Sequence, residues 1–128
     1  MIIHSHDYNS RYFPAMPIIE IQIRRRAGQE PLTLKAVVDS GADATMIPLR
    51  YLRQLQVRKG QTKWLSGITG GRYEVDMYTL AIQIGEQPVC YLDVVGTENR
   101  DELIVGRDFL NQYIVTLNAP AHTVEISL

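Results

Sequence analysis

Chemistry in this chain can be built on Asp39. The carboxylate ends the apolar run Val37-Val38 and is followed by Ser40, Gly41, Ala42 and Asp43, so a strand runs into an acid and then into a glycine turn. A strand end followed by small residues presents its side chain at the floor of a cleft, where backbone amides and a hydroxyl hold it in one geometry. Fixed orientation is what acid/base chemistry needs.

Two further stretches accompany it. Leu103-Ile104-Val105-Gly106-Arg107-Asp108-Phe109-Leu110 places aliphatics before a glycine and then begins a helix. Between the two lies Gly67-Ile68-Thr69-Gly70-Gly71, where three glycines around one isoleucine make a poor core strand and mark a tight turn. Taken alone this is an ordinary hairpin turn; its position between Asp39 and Val105-Gly106 favours a flap over the carboxylate. The following strand agrees, because Tyr73, Val75 and Met77 alternate in one phase and Leu80, Ile82 and Ile84 in the other. A strand that changes its buried face leaves one environment and enters another.

Other reactive residue types carry no chemistry. His4 and His6 lack a third ligand and read as solvated, so no metal is expected. Arg24, Arg25 and Arg26 lead into Gly28 and Pro31 and read as a solvated cluster at a hairpin turn. Cys90 lies in the apolar run Val89-Cys90-Tyr91-Leu92 and reads as a buried small hydrophobe.

The elements that position Asp39 follow from periodicity. Ile19 to Ile23 alternate with period two, and Leu32, Leu34, Ala36 and Val38 repeat that pattern into Asp39, which makes two strands with one buried face. Leu49, Leu52 and Leu55 form a brief helical stripe, closed by Gly60, that packs on the core. Val89 to Val95, Ile114 to Leu117 and His122 to Leu128 read as strands, and Asp108 to Tyr113 as a short helix. The fold class is therefore all-β with one or two short helices, arranged as a small closed barrel. Pro14 and Pro17 forbid a regular helix before Ile18, so residues 1–17 are expected to form a surface arm and 18–128 the domain.

Composition bounds the partners. One domain fits in 128 residues, the apolar fraction is 45%, and the net charge of -1 argues against nucleic acid or an anionic membrane. The N-terminus lacks the basic start and apolar run of a signal peptide, and no stretch approaches membrane-spanning length. With its single cysteine, the chain reads as soluble and cytoplasmic.

Asp-Ser-Gly-Ala flanked by aliphatics, then a glycine-rich hairpin, then Ile-Val-Gly-Arg-Asp-Phe-Leu, resembles the retropepsin-like aspartic proteases, the single-lobe relatives of pepsin, from Ile18 to Leu128. The resemblance implies an acid-protease barrel with a flap hairpin and an aspartic endopeptidase without a cofactor, acting on peptides or unfolded proteins. Peptide hydrolysis by carboxylates needs two of them sharing one proton and one water. This chain has one Asp-Ser-Gly; Asp93-Val94-Val95-Gly96 has the wrong spacing, and 128 residues cannot hold two lobes. The second aspartate must come from another copy, so the resemblance implies an isologous homodimer with Asp39 from each subunit at the two-fold axis.

The same resemblance assigns the remaining roles. Asp39 is catalytic, Ser40 locks the two active turns across the axis, Gly41 lets backbone approach substrate, and Ala42 sits beside the carboxylate. Asp43 and Arg107 form a bracing ion pair, with a weaker implied contact from Arg11. Gly67, Ile68, Thr69, Gly70 and Gly71 form the flap tip; Ile47, Ile68 and Ile104 line the walls, which implies apolar residues around the cut. Tyr12-Phe13-Pro14 resembles a cleavable site in the arm. The chain departs from retroviral relatives by continuing for ten residues beyond Asn118, so His122 to Leu128 is expected to carry much of the interface and the N-terminal arm to be less regular. Ala42 replaces the hydroxyl residue common in pepsin-like lobes, which implies a less acidic optimum. The alternatives are a catalytically silent dimeric module that holds an extended peptide by β-augmentation and a small-molecule-binding β-barrel.

Overall fold

The computed structural model describes residues 1–66 and 70–128. Among the described residues, ten strands and two short helices follow in the order β1 (Ile2–Asp7), β2 (Ile18–Arg24), β3 (Leu32–Val38), β4 (Met46–Pro48), α1 (Leu49–Gln54), β5 (Lys59–Ser66), β6 (Arg72–Gln83), β7 (Cys90–Thr97), β8 (Leu103–Val105), α2 (Arg107–Leu110), β9 (Ile114–Asn118) and β10 (Thr123–Ser127). The mostly-β expectation with short helices holds.

The closed barrel does not. The strands divide between a seven-stranded sheet, ordered β2-β3-β8-β4-β7-β6-β5, and a separate three-stranded sheet, ordered β1-β10-β9. Closure requires every strand to have two neighbours in a staggered ladder, and among the described residues β5 pairs only with β6. An additional β2–β6 pairing joins Gln22–Arg24 to Ala81–Gln83 and leaves β5 outside it as a free edge. β4 meets β8 through the single pair Met46↔Ile104.

Period-two patterning fixes which faces are buried. Ile19, Ile21 and Ile23 of β2 are buried together with Ala36 and Val38 of β3, Leu80, Ile82 and Ile84 of β6 and its exit, and Val105 of β8. Each such Ile, Leu or Val removed from water contributes about 1.5–3 kcal/mol. The stripe Leu49, Leu52 and Leu55 forms α1 as expected, with Leu52 and Leu55 buried. The helix stops earlier than Gly60, because Gln56 takes a left-handed φ of 60° and the chain turns there. Phe109 anchors α2 in the core beside the Tyr113 ring, 5.4 Å between centroids. Cys90 is half-buried rather than buried, and its sulfur accepts a hydrogen bond from Gln112 Nε2 at 3.3 Å.

The two-phase pattern of β6 has a direct counterpart. Its first half pairs with β5 from Ser66↔Arg72 to Lys59↔Tyr78, and its second half with β7 from Met77↔Val95 to Ile82↔Cys90. The hairpin arm thus leaves the body and returns to it as the buried face switches.

The N-terminal segment is more regular than expected. β1 runs antiparallel to β10 from Ile2↔Ser127 to Asp7↔Thr123. Local composition did not reveal this, since the partner lies at the other end of the chain. His4 takes part: its Nε2 accepts a hydrogen bond from the Glu20 N–H at 3.3 Å. Burial first and the neighbouring His6 second hold the His4 pKa below its ordinary 6.5, against a smaller opposing pull from Glu20. A depressed histidine pKa means that the fold favours the neutral ring. The stabilisation is complete above 6.5 and is lost as pH falls through the lower folded value. Amide exchange across Ile2–Asp7 is expected to accelerate relative to β2 between about pH 7.5 and about pH 5.5, after correction for intrinsic rates, and a His4→Phe variant to lose that dependence.

Candidate active site

Asp39 stands where β3 ends beside β8. The two strands are parallel, with Val37↔Ile104 and Val38↔Val105 in register, and the Asp39 N–H donates to Val105 O at 3.1 Å. The side chain is held by the turn that follows it: the Gly41 N–H donates to Asp39 Oδ1 at 2.9 Å. A Cβ at Gly41 would lie 3.1 Å from the same oxygen, so a larger residue would crowd the carboxylate. The turn closes with the Ala42 N–H donating to Asp39 O at 3.2 Å.

Gly106 lets the second glycine stretch dock against this turn. A Cβ there would lie 2.8 Å from Ala42 O and 2.9 Å from Ala44 O, closer than real side chains approach backbone. Immediately after it, the Arg107 N–H donates to Ala42 O at 2.9 Å. The Arg107 guanidinium pairs through Nη2 with Asp43 Oδ1 and donates through Nη1 to Ser40 O at 2.7 Å. The expected Asp43–Arg107 pair therefore exists and also grips the Ser40 carbonyl. Because Asp43 is largely exposed and Arg107 half-exposed, its value lies in geometry more than in stability.

A second brace, between Thr45 and Asp108, was not read from the sequence. Thr45 is the one buried polar or charged residue among the described residues, at 0% exposure. Its N–H donates to Asp108 Oδ2 at 2.9 Å, and its hydroxyl donates to Asp108 Oδ1 at 2.7 Å. The same hydroxyl accepts from the Gly106 N–H at 3.2 Å. A threonine before Met46-Ile47-Pro48 looks like an ordinary strand residue; only the fold brings Asp108 to it.

A cleft of about 950 Å³ opens above the turn. Its floor is Gly41, Ala42, Asp43, Ala44 and Met46; the β5–β6 hairpin contributes Trp64, Leu65, Ser66, Tyr73 and Val75; the end of β7 and the following loop contribute Val95 to Arg100. The Arg72 guanidinium lies over the Trp64 ring, 5.5 Å from its centroid, and ties the two hairpin arms.

The sequence-predicted residues are brought together in part. Asp39, Ser40, Gly41, Ala42, Asp43 and Arg107 form one cluster. Gly70, at φ +85°, and Gly71 lie in the connection between β5 and β6, whereas Gly67, Ile68 and Thr69 lie outside the described residues. Ile47 is 0% exposed and belongs to the core, so Met46 lines the cleft in its place. Ile104 is buried beside the turn and does not line the cleft. The Arg11 N–H donates to Asn9 Oδ1 at 3.0 Å within its own loop. Phe13, in the expected cleavable stretch, is fully exposed, and Tyr12 Oη donates to Glu102 Oε2 at 2.6 Å.

Comparison with known proteins follows the same residues. Residues 14–118 match the family model of the retroviral aspartyl protease. Among curated proteins none matches the sequence. Two similar solved structures are EIAV protease complexed with the inhibitor HBY-793 and a retropepsin-like aspartic protease from Rickettsia conorii. The first is 20% identical, with 76% of this chain and 86% of that chain covered and a TM-score of 0.54. The second is 15% identical, with 87% of this chain and 92% of that chain covered and a TM-score of 0.54. At these identities the likeness is one of fold.

Proposed function

The chain belongs to the retroviral aspartyl protease family and is an aspartic endopeptidase, and from that premise we propose that Asp39 is its catalytic carboxylate and that a second copy of the chain supplies the other. The observation that carries the proposal is the pinning of a single Asp-Ser-Gly turn by Val105, Gly106 and Arg107, with Gly41 and the following Ala42, Asp43 and Ala44 lining a cleft that the hairpin also lines; Asp39 and Ser40 sit at the edge of that lining rather than within it. Family membership sets aside the silent scaffold as the main reading.

In the proposed mechanism two Asp39 carboxyls share one proton and hold one water. The ionised carboxylate takes a proton from the water as its oxygen forms a bond to the scissile carbonyl carbon. The protonated partner gives its proton to the carbonyl oxygen. The resulting gem-diol collapses when a proton is passed to the amide nitrogen, the C–N bond breaks, and an acid and an amine leave with the dyad restored. The β5–β6 hairpin covers the cleft and excludes bulk water. Gly41 leaves room for substrate backbone, and Ser40, exposed at the turn, is proposed to meet its twin across the axis.

The proposed domain is residues 18–128, with 1–17 bracing the C-terminal sheet through β1. The partner surface is proposed on the β1-β10-β9 sheet, whose register sets Ile2, Ser127 and Ile114 side by side. Ile2, Ile114 and Leu128 are exposed apolar side chains there, which a second copy would cover. Among the described residues no helix is long and apolar enough to cross a membrane. A cytoplasmic location is part of the proposal, resting on the unpaired Cys90.

Purified protein incubated with a denatured protein substrate is expected to release peptides, and pepstatin to stop the release. Specific activity is expected to rise with enzyme concentration over the range where sedimentation shows monomer becoming dimer. Release at full specific activity from a species that sediments as a monomer would sink the two-copy site.

A further inference from the structure

A second hollow lies beside the catalytic cleft. It has a volume of about 440 Å³ and is walled by Pro48, Arg50 and Arg53 on one side and by Thr97, Glu98 and Arg100 on the other. Thr97, Glu98 and Arg100 also line the cleft. The two spaces therefore share a wall at Thr97, Glu98 and Arg100.

Its chemistry is that of an anion site. Arg50 is committed: its Nη1 pairs with Asp101 at 2.8 Å and its guanidinium lies 4.6 Å from the Tyr51 centroid. Arg53 and Arg100 are not, since among the described residues no carboxylate lies within 4.0 Å of either guanidinium. Glu98 is the one acid in the wall, and Asp101 faces solvent with its side chain 94% exposed. Two uncommitted guanidinium forks facing each other across the hollow suit a planar acceptor with two oxygens.

We infer that the enzyme selects peptides carrying an Asp or Glu side chain on the stretch that runs past Thr97, with the carboxylate held by Arg53 and Arg100. This rests on the protease reading and adds to it a charged position away from the apolar contacts nearest the cut. A phosphoserine would offer related oxygens, and the test separates the two.

The experiment uses peptides identical except for Glu, Gln, Lys or phosphoserine at successive positions on both sides of the cut. For wild type, kcat/KM is expected to favour Glu over Gln by about tenfold at one position, with Lys worst, and the ratio to shrink as salt is added. In an Arg53→Ala/Arg100→Ala variant the Glu-to-Gln ratio should fall to about one; being a ratio, it is unaffected by any general loss of activity. A ratio near one everywhere in wild type, or a ratio unchanged in the variant, overturns the inference. Phosphoserine preferred while Glu behaves like Gln overturns the carboxylate assignment. Binding of the same peptides to an Asp39→Asn chain gives an independent reading. If no peptide is cut, the protease reading fails, while tighter binding of the Glu peptide still supports the subsite and equal binding rejects it.

Discussion

An Asp39→Asn chain should cleave nothing measurable, and when mixed with wild type it should remove activity faster than its own share of the mixture. The amide can neither accept the water's proton nor share one with a partner, so the loss is expected to be about 10²- to 10⁴-fold or larger, the range for general acid/base groups. Mixing is the sharper measurement. If subunits exchange at random and only a dimer with two carboxylates is active, activity follows the square of the wild-type fraction, and equal mixing leaves about one quarter. A site complete within one chain predicts about one half under the same conditions. A linear decline after full exchange, verified by mass spectrometry of differently tagged chains, would end the two-copy mechanism.

The asymmetry between what was legible and what was not follows from sequence distance. Asp39-Ser40-Gly41 announces itself because its neighbours alone impose the turn, and the Gly41 N–H to Asp39 Oδ1 bond closes over two residues. The phase switch in β6 is equally local, since alternation along one strand reports which face is buried. Thr45 and Asp108 are 63 positions apart, and neither has a neighbour that hints at the other. β1 is hidden for the same reason: histidines and a serine at a terminus do not read as a strand until β10 supplies the other half of the ladder. Ile47 was assigned to the wall by resemblance, yet in so short a strand one residue of phase decides between core and cleft, and here Met46 faces the cleft. The barrel expectation failed because strand count and alternation do not state how many neighbours each strand finds, and among the described residues β5 finds only one.

Asp108→Ala tests whether the buried brace, rather than the exposed Asp43–Arg107 pair, holds the catalytic turn. Asp108 accepts three hydrogen bonds: from the Thr45 N–H at 2.9 Å, from the Thr45 hydroxyl at 2.7 Å and from the Phe109 N–H at 2.8 Å. Alanine removes every acceptor at once and leaves the fully buried Thr45 with donors that water cannot reach. Orphaned buried donors cost about 1–3 kcal/mol each, and with partial relaxation the loss should be about 3 kcal/mol. For a domain of this size that lowers Tm by about 10 °C. Arg107→Ala, which breaks an exposed pair, should cost about 1 kcal/mol or less in stability. Asp108→Asn should fall between the two, since its carboxamide keeps one acceptor oxygen but turns an NH2 toward a donor. Activity separates a local from a global effect. The Thr45 hydroxyl accepts from the Gly106 N–H at 3.2 Å, and Gly106 seats the next residue's N–H on Ala42 O. Slackening there displaces the Asp39 turn itself, so kcat of Asp108→Ala should fall at temperatures where the protein is still fully folded. A variant that melts with wild type, or that melts early but keeps wild-type kcat while folded, would show that the turn is held by Arg107 and the β3–β8 ladder without the buried brace.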